Sequence, residues 1–164
     1  MTITFRPALI PGDVPLLADL FINSVLELGA EDYGEEELAA WAARADDEDA
    51  FAARLAPCLT LIAHVDGEAA GFVSVKDNTV IDLLYVSPRR ARRGVATGLV
   101  HAIETLAAHR GVQKLSVDAS DMAEPLFKKL GYTAQRRNTV DLGGVWLGNT
   151  TMTKVFSEPQ SGSA

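Results

Sequence analysis

The sequence predicts one α+β domain with three layers, in which a mixed central sheet of about six to seven strands carries helices on both faces. The chain has 164 residues, enough for one hydrophobic core and few for two. Apolar residues recur at helical spacing near the N-terminus and again after the middle. Short β-branched runs separated by turns fill the remaining segments, and no internal repeat or linker divides them.

The first part of the chain predicts one strand followed by helices. Residues 1–9 alternate weakly, which indicates a strand. Asp13 stands where it could cap a helix that begins at Val14, and Gly29 is expected to end that helix. The alanine-rich residues 35–55 predict one broken helix or two short ones.

The rest of the chain predicts an antiparallel meander, then a helix, a strand, a short helix and a hairpin. Turn residues separate the runs, and the apolar period changes from two in the strands to 3.6 in the helices. The elements are expected at 58–65, 71–75, 79–86, 94–109, 114–119, 122–130, 133–141 and 145–156. We expect one domain over residues 1–156 and a disordered polar tail over 157–164.

Composition excludes several classes of protein. The formal net charge of −7 and the pI near 4.9 argue against a nucleic-acid binder. No apolar run approaches the roughly 20 residues that span a bilayer, and the N-terminus lacks a secretory pattern. Cys58 is the single cysteine, so an intramolecular disulfide is excluded. We therefore expect a cytoplasmic protein without a membrane partner. Because His64, His101 and His109 do not cluster, no metal site is expected.

Two acidic stretches, 32–37 and 46–50, hold much of the negative charge. Both lie among helix-forming residues, where carboxylates complement the positive end of a helix dipole. The alternative is an acidic rim that attracts a cationic substrate.

The sequence RRARRGVATG at 89–98 concentrates four arginines before small residues, between a predicted strand and a predicted helix. The first N–H groups of a helix lack intrahelical partners, and glycine or alanine lets a phosphate approach them. Arginines add attraction and bidentate hydrogen bonds. A phosphate cradle, a solvated basic turn and a nucleic-acid patch all fit this composition, but net acidity counts against the last.

Two longer segments carry a family resemblance. The segment VSPRRARRGVATGLVHAIE, from Val86, resembles motif A of the GNAT superfamily of acyl-CoA-dependent N-acyltransferases. The segment SDMAEPLFKKLGY at 120–132 resembles motif B. The resemblance extends from about residue 3 to 156 and is nearest to a bacterial small-molecule branch that includes the YafP-like acetyltransferases. The chain departs from the motifs at Ala91, where Gln or Arg is usual, and at Phe127, where Tyr is usual.

The resemblance implies the GNAT fold and acetyl-CoA as a co-substrate, with no metal. The pantetheine arm would lie along strand 80–86, and the amide of Tyr85 or Val86 would polarise the thioester carbonyl. The residues expected to bind the cofactor are Leu84, Tyr85, Val86, Arg92, Arg93, Gly94, Val95, Ala96, Thr97, Ser120 and Phe127.

The expected catalytic residues are Asp82, Ser120 and Tyr85. Asp82 lies in an apolar strand and could take the proton from the acceptor amine, directly or through water. The alternative is a carboxylate that ties down a neighbouring loop. With Phe127 in place of Tyr, Ser120, Tyr85 or water could protonate the departing thiolate, or it could leave unassisted.

The acceptor is expected to be a small-molecule amine held between the N-terminal helices and the C-terminal hairpin. The residues predicted to bind it are Tyr33, Trp41, Trp146 and Asn149, although Trp41 could instead be a core residue. An acidic, aromatic pocket would favour a cationic or aryl amine.

Three other functions stay open at this point. A catalytically silent module could bind acyl-CoA as a sensor. The acceptor could be a protein amine. The RRARR run could bind a nucleic acid or a protein. The resemblance also leaves open a homodimer.

Overall fold

The structure is a computed structural model that describes residues 2–156. Its strands form one sheet in the order β1-β2-β3-β4-β5-β7-β6, and only β4 and β5 pair in parallel. The strands are β1 (Ile3–Pro7), β2 (Leu59–Val65), β3 (Glu68–Lys76), β4 (Val80–Val86), β5 (Lys114–Ser120), β6 (Thr133–Leu142) and β7 (Val145–Val155). The helices are α1 (Val14–Asn23), α2 (Glu35–Ala42), α3 (Glu48–Leu55), α4 (Val95–His109) and α5 (Glu124–Lys129).

Helices cover both faces of the sheet, which confirms the predicted α+β class. On one face α1, α2 and α3 pack against the sheet through Leu17, Phe21, Phe51, Ile62 and Phe72, all buried. On the other face α4 and α5 do so. The buried residues there include Leu99, Ile103, Leu115, Phe127 and Met152. Removing these side chains from water stabilises both layers.

The sheet opens between β4 and β5. These strands pair only at Val80 with Ser116 and at Ile81 with Val117. On its other edge β4 contains a bulge, because Ser74 pairs with Leu83 and Val75 pairs with Ile81, which leaves Asp82 without a partner. A bulge bends its strand. Beyond Ile81 the two strands therefore diverge, and the β5-facing edge of residues 82–86 is left without a strand partner.

Asp13 does not cap α1, although the helix begins at Val14 as predicted. Its carboxylate accepts hydrogen bonds from the Arg6 guanidinium at 2.8 and 3.0 Å and from the Leu9 N–H at 2.8 Å. The bond from Arg6, with that from Leu9, lowers the pKa of Asp13 to about 2. The Asp13 carboxylate thus binds Arg6 on β1 and not the backbone N–H groups at the start of α1.

Gly29 does not end the first helical segment. The chain continues from α1 through a π-helical turn at Ser24–Leu28 and a 3-10 turn at Gly29–Glu31. Gly29 has a φ of −76°, which any residue can adopt. Position 29 needs glycine for lack of space, because a Cβ here would lie 2.6 Å from Cδ2 of Leu38. Glycine lets this segment pack closely against α2.

The two acidic stretches begin helices, in agreement with the first of their two interpretations. Glu35, Glu36 and Glu37 occupy the first turn of α2. Asp47 caps α3 by accepting from the N–H groups of Asp49 and Ala50 at 3.0 and 3.1 Å. Within residues 2–156 no helix is long and apolar enough to cross a membrane. The predicted disordered tail, 157–164, lies outside the described residues.

Candidate functional site

Two cavities meet where β4 and β5 diverge. The larger cavity, about 540 Å³, lies between the end of β4 and the start of α4. The smaller cavity, about 120 Å³, lies between β4 and β5 and extends to α2 and β7. Leu84, Met122 and Ala123 line both cavities, so these three residues mark the junction.

The larger cavity contains the start of α4. Gly94 precedes the helix with a φ of +82°, in the left-handed region that favours glycine. Val95, Ala96 and Thr97 follow as the first residues of α4 and line the cavity with Gly94. Their backbone N–H groups belong to the first turn, which carries the positive end of the helix dipole. Leu84 and Val86 line this cavity from β4, as the sequence predicted.

The arginines of the 89–98 stretch divide into groups with different partners. Arg89 and Arg90 approach Glu68 at 3.0 and 3.8 Å. Arg90 and Arg92 line the larger cavity together with Lys129. Glu31, 3.9 Å from Arg92, also lines the larger cavity, but both side chains of this pair are largely exposed. Arg93, predicted to contact the cofactor, does not line it, whereas Arg90, which was not predicted, does.

Two carboxylates line the smaller cavity from opposite strands. Asp82 on β4 accepts from Arg54 of α3, at 3.0 Å from Nε and 3.2 Å from Nη2. Asp118 on β5 accepts from Oγ1 of Thr151 at 2.6 Å and is solvent-exposed. Among the described residues Asp118 has no ion-pair partner. The charge of Asp82 is thus balanced by a guanidinium, and that of Asp118 is not.

A polar network extends from Asp118 across the sheet. Asn138 on β6 donates to Asn149 at 2.9 Å and to Thr151 at 2.7 Å. Asn149, predicted to bind the acceptor, lines the smaller cavity. The acidic stretches 32–37 and 46–50 contribute no carboxylate to this cavity, so its charge comes from Asp82 and Asp118 instead.

Guanidinium groups lie near Asp82. Burial and the neighbouring charge of Arg54 lower the pKa of Arg44, and Tyr85 and Asp82 oppose this shift. The surroundings of Asp82 therefore include two cations, Arg44 and Arg54.

Aromatic side chains form the wall nearest α2. Tyr33 and Trp41 pack edge to face with ring centroids 5.2 Å apart, and both line the smaller cavity. Trp41 Nε1 donates to the Tyr85 hydroxyl at 3.2 Å. Burial is the main cause that raises the pKa of Tyr85 to about 12. Trp41 is only 6% exposed, so it is both a core residue and a wall of the cavity.

Trp146, predicted to contact the acceptor, lines neither cavity. It is 60% exposed and pairs with Asp141 near the tip of the β6–β7 hairpin. Its neighbour Leu147 is buried and lines the smaller cavity. Because side chains alternate along a strand, Trp146 lies on the opposite face.

Tyr85, Ser120 and Phe127, also predicted as cofactor contacts, line the smaller cavity and not the larger one. Ser120 Oγ accepts from the Ala123 N–H at 3.2 Å. Phe127 is 1% exposed and packs edge to face against Tyr132, with ring centroids 5.1 Å apart. The usual tyrosine position of motif B is therefore a buried hydrocarbon in this chain.

Sequence reasoning missed Asp118, Arg54 and Thr151. The alternation of Ser116, Asp118 and Ser120 in KLSVDAS could have indicated Asp118, because it gives β5 one polar face. No comparable pattern pointed to Arg54, which lies 28 residues from Asp82. Among residues 2–156 no cluster of three or more His, Cys, Asp or Glu side chains could hold a metal.

Comparison with known proteins identifies the family of the chain. The family model for the acetyltransferase (GNAT) domain matches residues 29–155. The Escherichia coli K12 protein described as uncharacterized N-acetyltransferase YafP is 31% identical over 142 residues, 87% of this chain and 89% of its own. A GCN5-related N-acetyltransferase crystal structure from Rhodopseudomonas palustris shares 50% identity and a TM-score of 0.91, covering 95% of this chain and 97% of its own.

A more distant crystal structure shows the same fold. The PaiA N-acetyltransferase from Thermoplasma acidophilum, in complex with coenzyme A, has a TM-score of 0.76 at 20% identity. The match covers 95% of this chain and 100% of that one. Together these matches confirm the resemblance that the two sequence motifs indicated.

Proposed function

The chain belongs to the GNAT acetyltransferase family, and we propose that it moves an acetyl group from acetyl-CoA directly to the amine of a small-molecule acceptor. The observation that carries this proposal is the junction at Leu84, Met122 and Ala123. There the larger cavity, at the N-terminus of α4, shares lining residues with the smaller cavity, in which the Asp118 carboxylate has no ion-pair partner among the described residues.

The residues of the larger cavity fit the phosphates and the pantetheine arm of CoA. The N–H groups at the start of α4 could donate hydrogen bonds to a pyrophosphate, because Gly94 and Ala96 leave room for close approach. Arg90, Arg92 and Lys129 supply positive charge around it. Acetyl-CoA, when bound, would supply the acetyl group as an activated thioester.

The free edge of β4 supports the rest of this arrangement. Residues 82–86 have no strand partner on the β5 side, so the amide groups of the pantetheine arm could pair with them as an added strand would. The backbone N–H of Tyr85 or Val86 is the proposed donor to the oxyanion that forms on the thioester carbonyl. Holding donor and acceptor together at the junction supplies much of the acceleration.

An ammonium acceptor has to lose a proton before it can attack. Of the two carboxylates in the smaller cavity, we propose that Asp118 takes this proton. Its charge is not balanced by a described cation, and its exposure lets the proton pass on to water. Arg54 engages both oxygens of Asp82, which supports the second of the two roles considered for Asp82, that of tying α3 to β4.

Two alternatives differ from this proposal in what they predict. A silent acyl-CoA-binding module would bind acetyl-CoA and release no free CoA, and the changes at Ala91 and Phe127 favour it. A protein acetyltransferase would act on a lysine or an N-terminus. The smaller cavity, about 120 Å³, favours a small amine or the end of a single side chain. The cytoplasmic location stays a prediction.

The first experiment is a calorimetric titration of acetyl-CoA, with CoA and ATP as competitors, followed by release of free CoA with a panel of amines. The matched variants are Gly94→Ala and Gly94→Glu. Both place a side chain at a positive φ, but only glutamate adds negative charge to the cradle. We expect Gly94→Glu to lose binding and Gly94→Ala to keep most of it.

Three results would contradict the proposal. Absence of acetyl-CoA binding at millimolar concentration would exclude the cofactor. Binding without thiol release on any amine would favour the silent module. Release only with peptides or proteins would favour a protein acceptor.

A further inference from the structure

The departing CoA thiolate needs a proton, and Phe127 has none to give. We propose that the hydroxyl of Tyr33, a residue predicted from the sequence to bind the acceptor, donates this proton. The inference rests on the proposed acetyl transfer and adds to it a proton donor that comes from outside the motif B helix, from the segment that precedes α2.

The position of Tyr33 supports this assignment. Its hydroxyl oxygen accepts a hydrogen bond from the backbone N–H of Asp121 at 2.7 Å. The next two residues, Met122 and Ala123, line both cavities. A thioester that spans from the larger cavity to the smaller one has to pass these residues. The Tyr33 hydroxyl is therefore fixed next to the segment where the C–S bond would break.

The hydroxyl also has the right protonation state. Burial raises the pKa of Tyr33, and the Asp121 N–H and the Ser120 side chain offset this only in part. The phenol therefore keeps its proton at neutral pH. Because the Asp121 N–H occupies a lone pair of the oxygen, the O–H is left to donate to a different atom.

Two other hydroxyls lie near the cleft, those of Tyr85 and Ser120. The Tyr85 hydroxyl accepts a hydrogen bond from Trp41 Nε1. The Tyr85 ring packs against the Phe21 ring with centroids 4.5 Å apart, within the layer formed by α1–α3. Ser120 Oγ, like the Tyr33 oxygen, accepts a backbone N–H, that of Ala123 at 3.2 Å, so its O–H is also left to donate. Ser120 precedes Asp121, whose N–H binds the Tyr33 oxygen, so Ser120 is the rival donor and the proposed route by which Tyr33 regains a proton.

The proton and electron balance is complete. The amine nitrogen forms the C–N bond, and the C–S bond breaks with its electron pair going to sulfur. The Tyr33 proton passes to that sulfur and gives the free thiol. An ammonium acceptor gives up two protons: Asp118 takes the first before the attack and passes it to water, and it takes the second from the nitrogen as the C–S bond breaks. The phenolate regains one proton from water through Ser120, so each turnover releases one proton.

The test compares Tyr33→Phe with the wild type, using an amine that the wild type acetylates. The substitution removes one oxygen and keeps the ring against Trp41. We expect kcat with acetyl-CoA to fall roughly 100-fold, while the Kd for acetyl-CoA stays within about twofold. Tyr132→Phe is the matched control, because it removes another buried phenol, one that donates to Glu104 away from both cavities.

A second donor separates proton donation from simple positioning. S-acetyl-4-nitrothiophenol has a thiol acidic enough to leave without protonation. If Tyr33 is the proton donor, the loss of kcat in Tyr33→Phe relative to the wild type nearly disappears with this acetyl donor. If Tyr33 only positions the loop, the deficit is equal with both donors, and the proposal is wrong.

If the enzyme does not use S-acetyl-4-nitrothiophenol as an acetyl donor, a rescue variant provides the test instead. Phe127→Tyr in the Tyr33→Phe background returns a phenol to the lining of the smaller cavity, and we expect it to recover at least tenfold in kcat. No recovery, or a Tyr33→Phe enzyme within twofold of the wild type, would overturn the inference. A wild type that acetylates no amine would instead refute the proposed function.

Discussion

The larger and smaller cavities share Leu84, Met122 and Ala123, yet the chain builds them in different ways. The larger cavity takes much of its lining from the segment 90–97. The backbone N–H groups of this segment are the main groups that it offers to a ligand. The smaller takes its lining from α2, β4, β5, β6 and β7, and its chemistry lies in side chains. Ligand binding in the larger cavity should therefore tolerate most side-chain substitutions. Activity in the smaller cavity should be sensitive to the loss of a single side-chain atom.

The largest effect is expected from the two carboxylates of the smaller cavity. Asp118→Asn should lower kcat/KM by at least about 100-fold, because general base catalysis typically contributes that much or more. Asp82→Asn should lower turnover less and reduce the free energy of unfolding by about 1 kcal/mol, since Arg54 loses an ionised partner that is only partly exposed. Both should bind acetyl-CoA as the wild type does.

Steady-state kinetics, calorimetry and urea unfolding together test this pair, and Asp77→Asn in the exposed β3–β4 turn is the control. If Asp82→Asn is the more damaged enzyme in kcat/KM, Asp82 rather than Asp118 is the base.

Gly29→Ala should damage the smaller cavity alone. The added Cβ would meet Leu38 at 2.6 Å, and the side chain of Tyr33 lies 3.7 Å from the same point. Overpacking of this kind costs about 1–3 kcal/mol of stability. We expect lower kcat with unchanged acetyl-CoA affinity. Gly12→Ala is the control, because its Cβ would meet only Leu9 O at 3.8 Å. Equal losses in the two variants would show that the packing at Gly29 is unimportant.

Charge around the larger cavity should have a modest effect. Arg92→Asn is expected to weaken acetyl-CoA binding by about fivefold at low salt, and by less at 0.5 M salt, because exposed charges are screened. Arg93→Asn should leave the affinity unchanged, since Arg93 does not line the cavity. Calorimetry at two salt concentrations tests this. Equal effects of the two variants would mean that only the total charge of the loop matters.

The smallest effect lies outside both cavities. The Arg6 hydrogen bonds lower the pKa of Asp13 to about 2, so their stabilisation is fully present above pH 4 and is lost as pH falls from about 4 to 2. Asp13→Asn should cost about 1 kcal/mol at pH 7, because Arg6 is partly exposed and screened. Urea unfolding should show that the loss of stability in Asp13→Asn becomes smaller in acid. Acetyl-CoA and the acceptor amine should bind to this variant as they bind to the wild type. A cost that is independent of pH would contradict this explanation.

The larger cavity could be predicted because its residues are local. Val86, Gly94, Ala96 and Thr97 were named from one stretch of sequence, and the structure brings them together. Gly94 also has the positive φ that a glycine before a helix suggests. Arg93 was the exception, because composition reveals a basic loop but not which of its side chains lines the cavity.

The smaller cavity could be predicted only in part. Tyr33, Trp41 and Asn149 were named as its wall and do line it. Trp146 was named from the same hairpin, but the strand period places it on the other face. The Asp82–Arg54 pair and the approach of Tyr33 to Asp121 join residues 28 and 88 positions apart. Contacts at such separations leave no periodic pattern in the sequence.

By itself the sequence determined the layers, the order of the elements and the start of α4 after Gly94, since propensity, period and glycine placement act over a few neighbouring residues. The tertiary structure alone decided the bulge at Asp82, the partner of each carboxylate and the placement of the Tyr33 hydroxyl beside the junction. These features depend on how distant strands and helices meet, and the packing of both layers sets that geometry.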